Sequence, residues 1–487
     1  MARDDKVVLT PGGLDRRESG YYSTPAPVAA YLAKRLLALR PKAKTVLDPC
    51  IGAQEMAAPF LARGLAVLGY DIHQHLPQYS AQFLLRDFLS VHSAWQHGNP
   101  LPSGFETPDL IILNPPYNCH EVGYIKTRKT ALRAQFAHTG AYNMYSMFLD
   151  AVIDMAPPGG IIGAIVADSF LTAKFHTKLR RKVAQECIVH DVILCPTDLF
   201  QDQNADVRTC ILVLEKGTAK PGHKIRSLQR PARAKDLFAR LDSKRFADVS
   251  QNSVFLADET DGHEIVVGVP ADVRALFVQD RLGSRYPCVT GISTGDNSKH
   301  LRADPEPGFG LPFYKNPGMR KFNAPPNAYL VDDPVQAATK FTGFVLRNPT
   351  FLGKEGITCS SMGVRFSACH LPAGAAFGVN PNVFAGADNW WLMAYLNSKL
   401  VLYLLRGVLI RGNMVNAGYV ARLPLVQFSE AQRTRLAELA RQGYAVTQDG
   451  QASILAEIDR ITFAAADLSP SSQDMIEQFC TDVVRAS

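Results

Sequence analysis

Short apolar runs recur along the first half of the chain, and each of them ends in a polar or turn-forming residue. Residues 44–48, 65–71 and 108–113 are rich in Val, Leu and Ile, which is typical of strands that are buried on both faces. A Gly-Gly turn leads into a similar run over residues 159–166, and a further strand is predicted over residues 209–214. Segments of helical length separate these runs. The alternation predicts an α/β fold around a mixed, mostly parallel sheet.

The run over residues 108–113 ends in the tetrapeptide Asn114-Pro115-Pro116-Tyr117. Two prolines stop a strand and fix the backbone path, and ligands bind outside the carboxyl ends of strands in open α/β sheets. The Asn114 side-chain oxygen and the Pro115 carbonyl could both accept hydrogen bonds from one amino group, while Tyr117 offers a flat face to a base. By itself, a Pro-rich loop with an incidental tyrosine explains the tetrapeptide equally well.

Acidic residues follow other predicted strands. Asp48 precedes a tight turn with Gly52, as in the first β-turn-α of a nucleotide-binding unit. Asp71 ends the next strand about 20 residues later, where a ribose-binding acid belongs. Asp87 precedes Phe88, a pair that could bond an adenine amino group and pack on its ring. Each acid taken alone is as easily a turn or surface residue, so the order of the series carries the prediction.

A helix is predicted before the first strand because apolar residues recur there at helical spacing. Ser23 or Thr24 is expected to cap it, with Pro25 in its first turn. The free N–H groups at such a helix start suit a ligand carboxylate. A capped surface helix is the simpler interpretation of this segment alone.

Composition narrows the picture only slightly. The 487 residues should form about two to four domains, and the net charge of +7 permits a polyanionic partner without requiring one. Nine cysteines without C-x-x-C or zinc-like spacing indicate a reduced cytoplasmic protein without a structural metal. The first residues lack the apolar segment of a signal peptide. The apolar stretch over residues 390–410 contains Asn397, Lys399 and Arg406, so a buried helix and not a membrane span is expected.

With these motifs in this order, the chain resembles the gamma class of S-adenosylmethionine-dependent DNA adenine-N6 methyltransferases, which includes type II and type IIG restriction-modification enzymes. The resemblance implies a Rossmann-like catalytic domain, in which the cofactor motifs precede the catalytic Asn114-Pro115-Pro116-Tyr117, and a C-terminal α+β target-recognition domain. The family usually continues the first loop as Gly-x-Gly, and Gln54 stands here in place of the second glycine. The positions that the resemblance assigns to S-adenosylmethionine are Thr24, Pro25, Asp48, Pro49, Gly52, Asp71, Ile72, Asp87 and Phe88.

Further residues gain a role only through the resemblance. Phe200 is similar to the aromatic residue that packs against the flipped base, although taken alone it would be a core residue. Expected domain bounds are 1–223 for the catalytic domain, 224–260 for a basic linker or DNA-facing surface, 261–428 for target recognition and 429–487 for two packing helices. The candidates for DNA contact are Lys126, Arg128, Lys129, Thr294, Asn297 and Lys315.

The predicted function is site-specific methylation of N6 of an adenine that is flipped out of double-stranded DNA, in a restriction-modification or related defence context. No metal and no membrane are expected. A solitary enzyme and the modification partner of a separately encoded restriction endonuclease look alike in the sequence. Because the motifs begin near residue 20 and no nuclease motif follows, methylation without cleavage is expected. The alternatives are glutamine methylation in a protein, RNA methylation, and a catalytically dead DNA-binding relative, which only Gln54 supports.

Overall fold

The computed structural model describes residues 20–118, 123–203, 207–256, 263–410 and 414–485. The start of the chain, on which the expected absence of a signal peptide rests, lies outside these residues. The internal contacts divide the chain into two units, Met1–Gly268 and Val269–Ser487.

A nine-stranded sheet forms the centre of the first unit, in the order β3-β2-β1-β4-β5-β7-β6-β8-β9. Its strands are β1 (Thr45–Asp48), β2 (Ala66–Asp71), β3 (Gln82–Leu85), β4 (Leu110–Leu113), β5 (Ile161–Ala167), β6 (Cys187–Leu194), β7 (Thr209–Lys216), β8 (Lys224–Leu228) and β9 (Ala247–Ser250). β7 runs antiparallel to both of its neighbours and β9 antiparallel to β8, whereas all other neighbouring pairs are parallel. The predicted α/β class with a mixed, mostly parallel sheet is therefore confirmed.

Helices cover both faces of this sheet, because successive residues of the central strands point to opposite faces and both sets are apolar. Val46 belongs to the buried cluster on one face and Leu47 to the cluster on the other. The helices are α1 (Ala26–Leu39), α2 (Ala58–Leu61), α3 (Phe88–Gln96), α4 (Gly123–Gln135), α5 (Met144–Met155), α6 (Thr177–Glu186) and α7 (Ala234–Ser243).

The sheet has its switch point between β1 and β4. The chain proceeds outward from β1 through β2 to β3, then returns to place β4 on the other side of β1. At such a point the loops that leave the carboxyl ends of the two strands part in opposite directions and leave a crevice. Asp48 ends β1 and Asn114 follows β4, so the fold brings these two sequence motifs to the same crevice.

The predicted linker at residues 224–260 is instead part of the first unit. β8 and β9 extend its sheet, and Ile225 is fully buried. Arg230, one of the basic residues of this segment, donates hydrogen bonds to the Asp168 carboxylate and the Cys195 carbonyl. The prediction was wrong because the segment, although rich in cations, has buried residues at alternate positions of β8, which pairs with β6 and β9. The division between the units falls after Gly268.

The second unit is α+β and contains two four-stranded sheets, β10-β17-β14-β15 and β11-β13-β12-β16. Its strands are β10 (Cys288–Val289), β11 (Leu301–Arg302), β12 (Leu311–Tyr314), β13 (Ala328–Leu330), β14 (Gly356–Cys359), β15 (Ala368–Leu371), β16 (Ala376–Phe377) and β17 (Asn382–Val383). Its helices are α8 (Ala271–Ala275), α9 (Leu282–Arg285), α10 (Asn297–His300), α11 (Pro334–Lys340), α12 (Asn389–Leu396), α13 (Lys399–Tyr403), α14 (Ala417–Ala421), α15 (Glu430–Ala445), α16 (Ala452–Ala465) and α17 (Pro470–Arg485). Three helices, not the two predicted, follow residue 429.

The apolar stretch over residues 390–410 is buried, as predicted, but it is not one helix. It breaks between α12 and α13 and continues as a π-helical segment, Leu404–Leu409. In the part of the chain that the structure describes, no single helix is long and apolar enough to cross a membrane. The pair Gly386–Leu396 and Lys399–Leu409, which is bent by 73°, satisfies that test only by length and composition.

Candidate active site

The Asn114 side chain is held at both ends. Its amide nitrogen donates to the Tyr22 carbonyl at 2.7 Å and to the Thr24 hydroxyl oxygen at 2.9 Å, and its oxygen accepts from the Tyr117 hydroxyl at 2.8 Å. These bonds determine which end of the amide is the acceptor. An amide oxygen has two lone pairs, so Asn114 can accept one more hydrogen bond. None of the described residues donates a hydrogen bond to the Pro115 carbonyl.

Three aromatic rings meet beside Asn114. The Tyr117 ring centroid lies 5.8 Å from that of Tyr22 and 6.2 Å from that of Phe200, and the Tyr22 and Phe200 centroids are 5.9 Å apart. Phe200 is 0% exposed, so it offers no surface to a base in this structure. That Phe200 packs against a target base stays a prediction; in this structure Phe200 packs in the core against Tyr22 and Tyr117. Burial also raises the pKa of Tyr117, which keeps its hydroxyl protonated as a donor to Asn114.

A cavity of about 60 Å³ lies at the carboxyl ends of β1, β2 and β3. Asp71 and Ile72 line it at the end of β2, and Asp87 and Phe88 line it after β3. Ile72 is 48% exposed, which is unusual for a large apolar side chain beside a cavity and suits a ligand ring. The structure therefore brings together the residues that were predicted for the ribose and the adenine of the cofactor.

A second, smaller cavity contains Thr24, Asp48, Gly52 and Glu55 in its lining, and Asn114 lines both cavities together with Tyr21 and Cys50. Asp48 is 2% exposed and accepts one hydrogen bond, from the Cys50 amide at 3.2 Å. Burial raises its pKa to about 8. No described residue forms an ion pair with Asp48. A buried carboxyl without a cation is a suitable partner for a ligand ammonium group, so Asp48 gives this cavity a preference for a cationic group.

The turn after β1 keeps the shape of a glycine-rich loop despite the substitution at Gln54. Gly52 has φ +52° and Gln54 has φ +55°, a left-handed conformation that glycine normally occupies. The Gln54 side-chain oxygen accepts hydrogen bonds from the backbone amides of Ser80 at 3.1 Å and Ala81 at 3.3 Å. A Cβ atom at Gly52 would lie 2.5 Å from the Tyr21 ring. Gln54 thus takes a backbone conformation that favours glycine, and its side chain ties the loop to residues 80 and 81.

Asp87 is not free to meet a ligand. Its carboxylate accepts from the Tyr124 hydroxyl at 2.9 Å, from the Arg128 guanidinium at 2.6 Å and from the Ser90 hydroxyl at 2.6 Å, and it caps α3 through the Leu89 amide. Tyr124 and Arg128 belong to α4, which forms a wall of the larger cavity. Arg128 was predicted to contact DNA; in this structure it is paired with Asp87.

The other predicted DNA contacts differ in exposure. Lys126 and Lys129 are exposed on α4. In the second unit, Asn297 and Lys315 are exposed, whereas Thr294 is buried and donates its hydroxyl proton to the Asn297 side-chain oxygen at 2.6 Å. Thr294 therefore holds Asn297 in place and presents no surface of its own.

The predicted cap of α1 is absent, because Pro25 is the N-cap residue and no side chain caps the helix. Thr24 bonds Asn114 instead, and Ser23 exchanges backbone hydrogen bonds with the Gln203 side chain, both at 2.8 Å. Sequence reasoning also missed Tyr22 and Glu55. Glu55 is hydrogen-bonded to Tyr21. The position of Glu55 three residues after Gly52 was the one feature of the sequence that could have indicated its place in the site.

Cys50 and Pro49 complete the loop after β1. Both line the larger cavity, and burial raises the pKa of the Cys50 thiol, which keeps it protonated. Among the residues that the structure describes, no group of three or more His, Cys, Asp or Glu side chains is placed to hold a metal ion.

Comparison with known proteins finds one matching domain family and several proteins that are similar over part of their length. The family described as N-6 DNA Methylase matches residues 82–247. The type I restriction enzyme StySPI methylase subunit of Salmonella potsdam is 30% identical over 125 residues, which are 25% of this chain and 22% of that protein. The type II methyltransferase M.XhoI of Xanthomonas vasicola is 30% identical over 198 residues, 37% of this chain and 35% of that protein. The chain thus spans about a fifth to a third of these relatives.

Two solved structures resemble the chain over most of its length. The type IIL restriction-modification enzyme MmeI, solved in complex with DNA, has a TM-score of 0.62 at 12% identity and covers 97% of this chain and 79% of its own. A nuclease-deletion mutant of the type ISP enzyme LlaGI, solved with a DNA substrate mimic, has a TM-score of 0.54 at 10% identity and covers 87% of this chain and 54% of its own. At these identities the similarity establishes the fold.

Proposed function

We propose that this chain transfers a methyl group from S-adenosylmethionine to N6 of an adenine that is flipped out of duplex DNA. Residues 82–247 match the family described as N-6 DNA Methylase, which supports this proposal. The matches confirm the predicted resemblance to N6-adenine DNA methyltransferases of restriction-modification systems. The observation that carries the proposal is the position of Asn114. Asn114 lines both cavities. One of them is also lined by Asp71 and Phe88, which were predicted to bind adenosine, and the other by the buried Asp48.

Different residues of this chain would bind the different parts of S-adenosylmethionine. Asp71 and Ile72 face the ribose, Phe88 the adenine ring, and Asp87 the adenine amino group once Tyr124 and Arg128 have moved. Asp48 and Glu55 flank the amino group at the methionine end, and Thr24 holds Asn114. S-adenosylmethionine supplies an electrophilic methyl group on its sulfonium when bound.

Orientation and fixed dipoles account for the catalytic contribution of Asn114 and Pro115. The target amino group donates its two protons to the Asn114 side-chain oxygen and the Pro115 carbonyl, so its lone pair points along the direction of attack. The nitrogen becomes positively charged as the bond forms, and two carbonyl oxygens that are already in place stabilise that charge. The Tyr117 hydroxyl orients Asn114, and the partly exposed Tyr117 ring packs against the base.

We further propose that the second unit reads the DNA sequence. The observations in its favour are its α+β architecture, the exposed Asn297 and Lys315, and the whole-length resemblance in fold to MmeI. Base contacts specify sequence, whereas phosphate contacts position the protein. A restriction endonuclease that cleaves the unmethylated target would be a functional partner, and the cytoplasm would be the site of action.

The test is methyl transfer from labelled S-adenosylmethionine to unmethylated genomic DNA, followed by nucleoside analysis. We expect N6-methyladenine from the wild type and none from Asn114→Ala, while calorimetry shows that Asn114→Ala still binds the cofactor. Tyr117→Phe keeps the ring but loses the bond to Asn114, so it should retain part of the activity. Label that appears only in RNA or in protein would contradict the proposal.

A further inference from the structure

A separate cleft of about 530 Å³ lies on the outer side of α4. It does not share a lining residue with either cavity of the active site. The volume is within the range of roughly 300–1,000 Å³ that is usual for ligand sites. α4 contributes to both regions, since Tyr124 lines the larger cavity of the active site and the adjacent Ile125 lines the cleft.

Three cations of α4 line this cleft: Lys126, Lys129 and Arg133. Their spacing of three and four residues places them on one face of the helix. All three are exposed, and none has an ion-pair or hydrogen-bond partner among the described residues. Arg128, on another face of the same helix, pairs with Asp87. Like charges in a row repel one another, so this face is arranged for an anionic ligand and not for the stability of the helix.

Aromatic surface adjoins the cations. Tyr142 lines the cleft and is 51% exposed, and its ring lies 5.8 Å from that of Phe175, which is 44% exposed. Gly140 has φ +82°, and a Cβ atom there would lie 2.7 Å from the Tyr142 ring. The turn therefore depends on glycine both for its backbone conformation and for the position of the ring. Two exposed rings beside three unpaired cations match the combination of stacking surface and basic groove that binds unpaired nucleotides.

We propose that this cleft binds an unpaired stretch of the DNA substrate, with phosphates on Lys126, Lys129 and Arg133 and one base stacked on Tyr142, which Phe175 supports. The inference rests on the proposed function, since flipping a base out of a duplex disrupts stacking and pairing at the target. The cations alone would serve duplex phosphates equally well. The exposed Tyr142 ring is the feature that favours an unstacked base, because the faces of paired bases are covered by their neighbours.

The test measures binding of a fluorescein-labelled thymidine oligonucleotide of about twelve nucleotides to the full chain at several salt concentrations. Tyr142→Ala should weaken binding roughly 5- to 100-fold without changing the salt dependence. Tyr142→Phe keeps the ring and should bind like the wild type. Replacing Lys126, Lys129 and Arg133 by Gln should lower the slope of log affinity against log salt by about two. Lys220→Gln, an exposed lysine away from the cleft, is the control.

Several outcomes would overturn the inference. One is wild-type affinity in both Tyr142→Ala and the triple variant, provided that their melting temperatures match that of the wild type. Another is tighter, equally Tyr142-dependent binding of the matching uridine oligoribonucleotide, which would assign the cleft to RNA. Methyl transfer to DNA is measured on the same samples. No methyl transfer to DNA, together with Tyr142-dependent binding of the thymidine oligonucleotide, would refute the proposed function and support nucleotide binding in the cleft. Methyl transfer to DNA, together with oligonucleotide binding that the Tyr142 and cation substitutions leave unchanged, would support the proposed function and refute nucleotide binding in the cleft.

Discussion

Asp48→Asn is the most informative single substitution in this site. It replaces a buried carboxyl by a neutral amide of the same size. Asp48 has one hydrogen bond, from the Cys50 amide, and the carboxylates of Asp71 and Glu55 lie near enough to oppose its ionisation. Burial is the main cause that raises its pKa from 3.8 to about 8, and those two carboxylates add to it.

The sign and size of the effect on folding follow from this pKa. In the unfolded chain Asp48 ionises above pH 3.8, whereas in the folded chain it stays protonated up to about pH 8. The folded state is therefore favoured most at low pH, and this contribution is lost as pH rises from 3.8 to about 8. At about 1.36 kcal/mol per pH unit the full loss would be about 6 kcal/mol, and relaxation around a buried charge reduces it to on the order of 3–6 kcal/mol.

Asparagine has no proton to lose, so Asp48→Asn should remove this contribution to the pH dependence. Urea unfolding of the ligand-free protein at pH 5.5, 6.5, 7.5 and 8.5 measures it. The difference between the variant and the wild type should grow with pH, with the variant more stable at the upper end.

Cofactor binding should show the opposite preference. The ammonium and sulfonium groups of S-adenosylmethionine favour ionised Asp48, so binding below pH 8 should expel a proton and strengthen as pH rises. Calorimetry in two buffers with different ionisation enthalpies counts that proton. The Asp48→Asn variant should release fewer protons and bind more weakly at pH 8. Parallel pH profiles for the two proteins, or equal proton release, would refute the assignment of Asp48 to the cofactor's cationic end.

Substitutions at three further residues test the loop and α4. Gln54→Gly should change the unfolding free energy by less than about 1 kcal/mol, because glycine relieves the left-handed backbone and this gain offsets the lost hydrogen bonds to Ser80 and Ala81. Gln54→Ala loses the same hydrogen bonds without that relief and should cost about 1–3 kcal/mol in urea unfolding. Equal losses of stability in the two variants would refute this explanation. Gly52→Ala should cost about 1–3 kcal/mol and weaken cofactor binding in calorimetry, because its Cβ meets Tyr21; unchanged stability would contradict the close approach. Arg128→Gln should tighten cofactor binding up to about fivefold by freeing Asp87 and leave the salt dependence of DNA binding unchanged; a weaker salt dependence would restore the predicted DNA contact.

Local sequence was sufficient to predict those features that depend only on one strand and the turn after it. The apolar runs that end in Asp48, Asp71 and Asn114 predicted the parallel strands correctly, because a strand that is buried on both faces needs apolar residues at every position. The carboxyl ends of parallel strands share one edge of the sheet, so the grouping of these side chains also followed. The order of the motifs, more than any one of them, carried the resemblance to N6-adenine DNA methyltransferases.

Contacts between distant segments had to come from the tertiary structure. Arg128 pairs with Asp87, and Asn114 is hydrogen-bonded to Thr24, although the two residues of each pair lie far apart in the chain. The burial of Phe200 likewise depends on segments that are distant in sequence. A charge or a ring in a sequence does not reveal its partner. The basic segment at residues 224–260 shows the same limit, since its sequence does not reveal that Arg230 pairs with Asp168. The sequence by itself determined the order of strands and the residues at their ends, and only the packing of distant segments decided which of those residues are free to meet a ligand.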